Sequence, residues 1–276
     1  MTNNDQPYRV DLNVFRVRHT LKFRLLQVKR VHKVTPHLLR VTLGGEDLRD
    51  FESASFDDHV KLFFPAPGED KHVIPTLGPD GPVYPEGRAK PLMRDFTPRR
   101  FDAEACELDI EFAMHEAGPA TSWAAQAKPG QYLGVGGPRG SMIITKGFDW
   151  HLLVGDETAL PAIARRLEEL PAGVHAAVFV QGRDPSAHVA FETETRLQAQ
   201  WIYRDQSADP ERELLDALRQ FDKPAGEGFV WASGEAAMVR AVRKFMVEER
   251  GVDKNRIRAS AYWRRGAQAV HEVIED

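Results

Sequence analysis

The stretch HLLVGDETALPA, residues 151–162, decides how the chain is read. Its first four residues suit a buried strand, and Gly155-Asp156-Glu157 makes a turn. A helix follows over about 159–170, with Leu160, Ile163, Leu167 and Leu170 on one stripe. A strand that passes through a glycine turn into an amphipathic helix is the unit of a parallel sheet. Toward the carboxyl end the unit repeats. Strands at 174–180, 200–203, 228–232 and 257–262 alternate with helices near 211–221 and 235–250, and a short polar helical tail is expected last. This alternation predicts a parallel sheet covered on both faces.

Toward the amino end the period shortens to that of strands. Segments 21–31, 38–43, 59–64, 92–99, 107–113 and 131–135 are short and largely alternating. The stretch 65–91 separates two of them and holds seven prolines and four glycines, so it reads as loop. About six such strands predict a small antiparallel barrel. One helix interrupts them, from about Pro119 to Ala127, opened by proline and closed by Pro129-Gly130. The fold class is therefore two domains: an antiparallel β-barrel over 18–146, then an α/β parallel-sheet domain over 149–276, with the boundary near Thr145–Asp149.

Composition narrows the function. With 37 basic and 41 acidic residues the net charge is −4, so no global polycation favours nucleic acid. No apolar run reaches the ~18 residues that span a bilayer, and the amino terminus lacks a signal-peptide core. The single cysteine, Cys106, excludes an internal disulfide and a four-Cys zinc or iron–sulfur site within one chain. His271-Glu272 lacks a second histidine at the zinc-protease spacing, because position 275 is Glu, and no metal site is expected. No nucleophile elbow or Walker loop is present. These features predict a cytoplasmic protein whose chemistry is carried by a cofactor. Residues 1–45 hold nine Lys/Arg against two acids, which suits either solvated strand faces or a rim for an anionic ligand.

Four segments carry candidate chemistry. In His115-Glu116-Ala117-Gly118-Pro119-Ala120-Thr121-Ser122-Trp123 a strand turns at Gly118 into a helix whose first turn holds two hydroxyls. Its free amides suit a pyrophosphate; plain capping by Thr121 and Ser122 is the other reading. In Arg94-Asp95-Phe96-Thr97-Pro98-Arg99, one strand would put Arg94 and Phe96 on one face and Thr97 and Arg99 on the other. An arginine for phosphate, an aromatic ring and a hydroxyl would serve a flavin nucleotide; an edge strand would equally carry Pro98 and an exposed arginine. Gly155-Asp156-Glu157-Thr158 and Ser233-Gly234-Glu235 each join a strand to a helix at one sheet edge, where a nicotinamide cleft would lie. The three-glycine dinucleotide fingerprint is missing. Arg183, after the second parallel strand, suits a 2′-phosphate, with Asp184 beside it and Arg204 as a substitute.

Taken together, these segments resemble the siderophore-interacting protein family, a branch of the ferredoxin–NADP reductase-like flavoproteins. The similarity runs from about Arg18 to Gly266 and rests on HVKLFFP (59–65), RDFTPR (94–99), HEAGPATSWA (115–124), GGPRGS (136–141), GDETALPA (155–162), WASGE (231–235) and AYWRRG (261–266). The resemblance implies an FAD barrel, an NADPH- or NADH-binding domain, and reduction of ferric siderophores to release Fe(II). It assigns Arg94, Phe96, Thr97 and Arg99 to the flavin and its phosphates, and His115, Gly118, Ala120, Thr121 and Ser122 to the pyrophosphate turn. From their places at the sheet edge, Asp156, Thr158, Arg183, Gly234 and Glu235 are the candidates for the nicotinamide nucleotide. Lys61, Arg139 and Arg264 or Arg265 fall to an anionic ferric chelate. From the residues alone, Lys61 also reads as a solvent-facing strand lysine and Arg139 as a turn residue. Phe96 stands where the family usually has Tyr, which keeps ring stacking but loses a phenolic hydrogen bond. A monomer is expected, with ferredoxin as a second candidate donor. The alternatives are a general flavin, quinone or flavodoxin reductase and a non-enzymatic ferric-chelate carrier.

Overall fold

The computed structural model describes residues 12–65, 73–114, 118–266 and 272–274. His115 lies outside them. The first half comprises β1 (Val14–Arg18), β2 (Phe23–Thr35), β3 (Leu38–Gly44), β4 (Val60–Phe64), β5 (Thr76–Gly78), β6 (Gly81–Val83), β7 (Leu92–Phe96), β8 (Pro98–Asp102), β9 (Glu107–Ala113), α1 (Pro119–Gln126), β10 (Tyr132–Gly136) and β11 (Gly140–Ile144). Seven of these strands make one antiparallel sheet in the order β7-β4-β10-β2-β3-β9-β8. Its edge strands, β7 and β8, are consecutive in the chain with Thr97 alone between them. The sheet therefore curls until its edges approach, which gives the expected barrel. Leu26, Val41, Leu62, Ile110, Leu133 and Val135 fill its inside and are fully buried, each contributing on the order of 1.5–3 kcal/mol of transfer free energy.

The sequence reads 92–99 as one strand, and the structure corrects this. β7 pairs with β4 and β8 with β9, so the chain changes partner at Thr97. Pro98 helps to force the break, because it has no amide to continue a ladder. The face assignment that runs alternation from Arg94 to Arg99 fails for the same reason. Two short pairings also escape the sequence reading: β1 with β11, and β5 with β6 inside the Pro/Gly-rich stretch.

The second half comprises β12 (Trp150–Asp156), α2 (Leu160–Glu169), β13 (His175–Gly182), β14 (Arg196–Tyr203), α3 (Pro210–Gln220), β15 (Gly228–Glu235), α4 (Ala236–Lys244), β16 (Ile257–Trp263) and β17 (Glu272–Val273). The sheet order is β14-β13-β12-β15-β16-β17, parallel through β16. Strand order reverses between β12 and β15, which is where such sheets bind ligands. Two expectations are corrected here. The helix read over 235–250 is α-helical only to Lys244 and ends in a π turn, Phe245–Glu249. In place of a helical tail, Glu272–Val273 adds an antiparallel edge to Ser260 and Ala261.

The halves share one core, in which Leu38, Phe56 and Ile144 pack with Leu153, Ile163 and Trp231. Polar contacts reinforce it. The Trp231 indole N–H donates to Asp57 Oδ1 at 2.9 Å, Arg258 pairs with Asp57 Oδ2, and Arg165 donates to Ser53 and to the Pro98 carbonyl.

Candidate functional site

On the barrel side the site is built around α1. Gly118 enters it in an extended conformation, and Pro119 takes the first helical position, where no amide is needed. The Thr121 hydroxyl donates back to the Gly118 carbonyl at 2.9 Å, as does the Ser122 amide at 2.8 Å. The Ala120 and Thr121 amides belong to the first turn, which intrahelical bonding leaves unpaired, and no acidic side chain stands there. Ser122 is exposed. The helix is held in place by rings. Trp123 packs against Phe64 and Phe112, each with centroids 5.8 Å apart, and Phe96 lies 4.6 Å from Phe112. This aromatic seat escapes the sequence reading, because Phe64, Phe112 and Trp123 come from three separated segments.

The RDFTPR residues part company. Arg94 is half-buried, donates to the Met93 carbonyl at 2.7 Å, and forms no ion pair among the described residues. Thr97 is buried in the break between β7 and β8. Arg99, the second arginine expected at the flavin phosphates, differs from Arg94 in being paired. It is 8% exposed and held by Glu168 of α2, with Nη1 2.8 Å from Oε2. Its guanidinium therefore stitches the barrel to the second half instead of standing open beside Arg94.

At the parallel-sheet edge, Asp156 is the organiser. Its carboxylate is 2% exposed. Oδ1 accepts from the Thr158 amide and hydroxyl at 2.8 and 2.5 Å, and Oδ2 from the Glu235 amide and the Trp263 indole at 2.9 and 2.8 Å. One carboxylate thus ties together the ends of β12, β15 and β16. Burial first, and the neighbouring Glu157 second, push its pKa up. Gly234 is required beside it, because φ is +139° and an added Cβ would meet Asp156 Oδ2 at 2.6 Å. Glu235 turns its own carboxylate onto α4, accepting from the Ala237 and Met238 amides at 2.6 and 3.3 Å, and accepts from the Arg265 amide at 3.2 Å. Asp156, Thr158 and Glu235 thus shape this edge. Trp263, 37% exposed and anchored by its indole, is the residue there that the sequence reading missed.

The cations have different surroundings. Lys61 Nζ lies 2.7 Å from Asp95 Oδ1, and Arg264 shares Glu272 with Arg240 at 3.0 and 2.9 Å. Arg139 and Arg265 are exposed and have no side-chain ion pair among the described residues. Lys61 faces Gly136 in the β4–β10 pair, three residues before Arg139. Tyr262, two residues before Arg264, stands beside Thr97, two residues after Asp95. Arg183 is exposed, whereas Arg204 is engaged by Glu157 at 2.6 Å and the Gln181 carbonyl at 3.0 Å. Asp184 turns to Ser186 and His37, and its bonds to Ser186 lower its pKa. Among the described residues no cluster of side chains could hold a metal ion, and no helix is long and apolar enough to cross a membrane.

Comparison with known proteins gives the arrangement its family. Residues 27–142 match the siderophore-interacting FAD-binding domain, and residues 148–266 match the siderophore-interacting protein family. The NADPH-dependent ferric-chelate reductase of Escherichia coli is 40% identical over 253 residues, covering 90% of this chain and 95% of that protein. The ferric vibriobactin reductase of Vibrio cholerae is 35% identical over 255 residues, covering 90% and 93%. A siderophore utilization protein from T. fusca superposes with a TM-score of 0.85 at 40% identity, over 94% of this chain and 98% of that one. The siderophore-interacting protein SipS from Aeromonas hydrophila superposes at 0.76 with 30% identity, over 89% and 93%. With a barrel and a parallel sheet in that order, and relatives matched along nearly their whole length, the chain belongs to the siderophore-interacting protein family.

Proposed function

We propose that this protein is an FAD-dependent oxidoreductase that uses NAD(P)H to reduce ferric siderophores and so release Fe(II), the activity class named for its relatives. The observation that carries the reading is the amino end of α1, uncapped by any side chain and free of acidic residues, with Arg94 outside any described ion pair. These are the donors that an FAD diphosphate needs. Bound FAD would supply the redox chemistry, two-electron exchange with reduced nicotinamide and one-electron exchange with each of two ferric ions.

The residues' share is binding and alignment. The Ala120 and Thr121 amides, the Ser122 hydroxyl and Arg94 would hold the phosphates, and Phe96 and Thr97 would serve the flavin ring. Asp156 holds the sheet edge rigid, so that nicotinamide entering beside Trp263 meets the flavin in a fixed orientation. Exposed Arg183 is the candidate partner of the 2′-phosphate, because Arg204 is already engaged by Glu157. Asp184, next to Arg183, is turned toward Ser186 and His37 by its hydrogen bonds. Arg139 and Arg265, with Lys61 and Arg264, attract an anionic ferric chelate, and no protein ligand to the iron is needed. We assign the boundary between the FAD and NAD(P)H domains to 145–149 and infer that the protein works as a cytoplasmic monomer, with ferredoxin as an alternative donor. The direct test is the cofactor. The purified protein is expected to be yellow and to release FAD on denaturation. Protein that remains colourless after incubation with FAD would overturn the reading.

A further inference from the structure

Tyr262 sits at the irregularity in the β15–β16 pair, between the paired residues Ala261 and Trp263, and reaches the barrel. Its hydroxyl stands beside the side chains of Thr97 and Ser233, and its ring meets that of Trp231 edge-on, with centroids 6.4 Å apart and planes at 74°. Trp231 is fully buried and is itself fixed, because its indole N–H donates to Asp57 Oδ1 at 2.9 Å while Arg258 pairs with Asp57 Oδ2. Asp57 and Thr97 belong to the barrel, and Trp231, Ser233, Arg258 and Tyr262 to the parallel sheet. The halves are thus tied at two points, Asp57 to Trp231 and Thr97 to Tyr262. Thr97 is the residue at which the barrel strand changes partner, so no ladder hydrogen bond holds it in register. Burial first, and the Asp57 carboxylate second, raise the Tyr262 phenol well above its ordinary range. The phenol is therefore held in its neutral form.

We propose that Tyr262 is a positioning residue for electron transfer between nicotinamide and flavin: its hydroxyl orients Thr97 and, with the Asp57–Trp231 bond, sets the spacing between the barrel seam and the sheet edge. The proposal rests on the reading of Thr97 as a flavin neighbour. Its test is Tyr262→Phe, which removes one oxygen and keeps the ring. In anaerobic stopped-flow, flavin bleaching at saturating NADPH should slow about five- to tenfold, the worth of one ordinary hydrogen bond. Reoxidation of the dithionite-reduced enzyme by ferric citrate should keep its wild-type rate. In FAD-free protein, amide exchange at Phe96, Thr97 and Arg99 and at 231–234 should quicken, while the thermal midpoint stays within a few degrees. Thr97→Val should slow bleaching at least as much, and adding Tyr262→Phe to it should slow it no further, because the tyrosine acts through Thr97. Unchanged bleaching, equal slowing of both half-reactions, unchanged exchange, or multiplying effects of the two substitutions would each overturn the proposal. Wild-type protein that takes up no FAD would instead defeat the functional reading, and the exchange arm would still judge whether Tyr262 ties the halves.

Discussion

Helix α1 begins at Gly118 with no side chain capping its first amides, whereas α4 begins at Glu235, whose carboxylate accepts from two of its own. In sequence the two starts look alike, since each is a glycine turn after a strand. In the structure they differ in electrostatics. The α1 terminus keeps its partial positive charge available to an anion, and the α4 terminus has its charge neutralised from within. The parallel-sheet edge is therefore a shaped wall held by Asp156, and the barrel side keeps an uncapped helix terminus, the one proposed above to take the phosphates. A glycine before a helix marks a tight turn, and only the side chain that follows decides whether an anion can enter.

The largest effect that tests this contrast is expected at the wall. Gly234→Ala forces a side chain into a positive-φ position and against Asp156. It should destabilise the protein by about 2–3 kcal/mol and abolish NADPH-driven flavin reduction, measured by urea unfolding and anaerobic absorbance. Flavin content should survive, because α1 is untouched. If FAD is lost along with nicotinamide function, the two regions are not separable as described.

At the open terminus, Arg94→Ala should weaken FAD binding by about 1.5–3 kcal/mol, as expected for one charge-assisted hydrogen bond. The flavin-to-protein ratio after dialysis reads this out, and an unchanged ratio would make Arg94 a surface residue. Arg99→Ala should instead act on unfolding, because its partner is Glu168 on α2.

This division shows what was legible in the sequence. The strand–helix alternation after 150 and the strand period before 136 were readable, because each pattern is local and repeats. The β1–β11 pair was not, since Val14 and Ile144 meet only after the whole barrel has closed. The break at Thr97 left a trace in Pro98 but none in the apolar pattern. In the site, the glycine turns and hydroxyls were visible. The partners that give them their roles were not: Arg99 meets Glu168, and Asp156 meets Trp263, across 69 and 107 residues.

A smaller effect is expected at the rim. Arg139→Ala should raise KM for an anionic ferric siderophore several-fold, and Lys61→Ala less, because Asp95 already offsets the lysine charge. Wild-type kcat/KM should fall as salt rises, since exposed charges are screened over ~8–10 Å. A neutral quinone acceptor should show neither dependence, and equal losses on both acceptors would move these residues out of substrate binding.

The central claim is that one chain joins an FAD site at α1 to a nicotinamide edge at β12 and β15 and delivers electrons to ferric chelates. An anaerobic titration of the yellow protein with NADPH, then with a ferric siderophore, tests it directly through the flavin absorbance. The account predicts bleaching by NADPH and stoichiometric recovery of colour on adding the chelate, with Fe(II) trapped by a ferrous-specific dye. A flavin that NADPH does not bleach, or a bleached flavin that the ferric chelate leaves reduced, would contradict it.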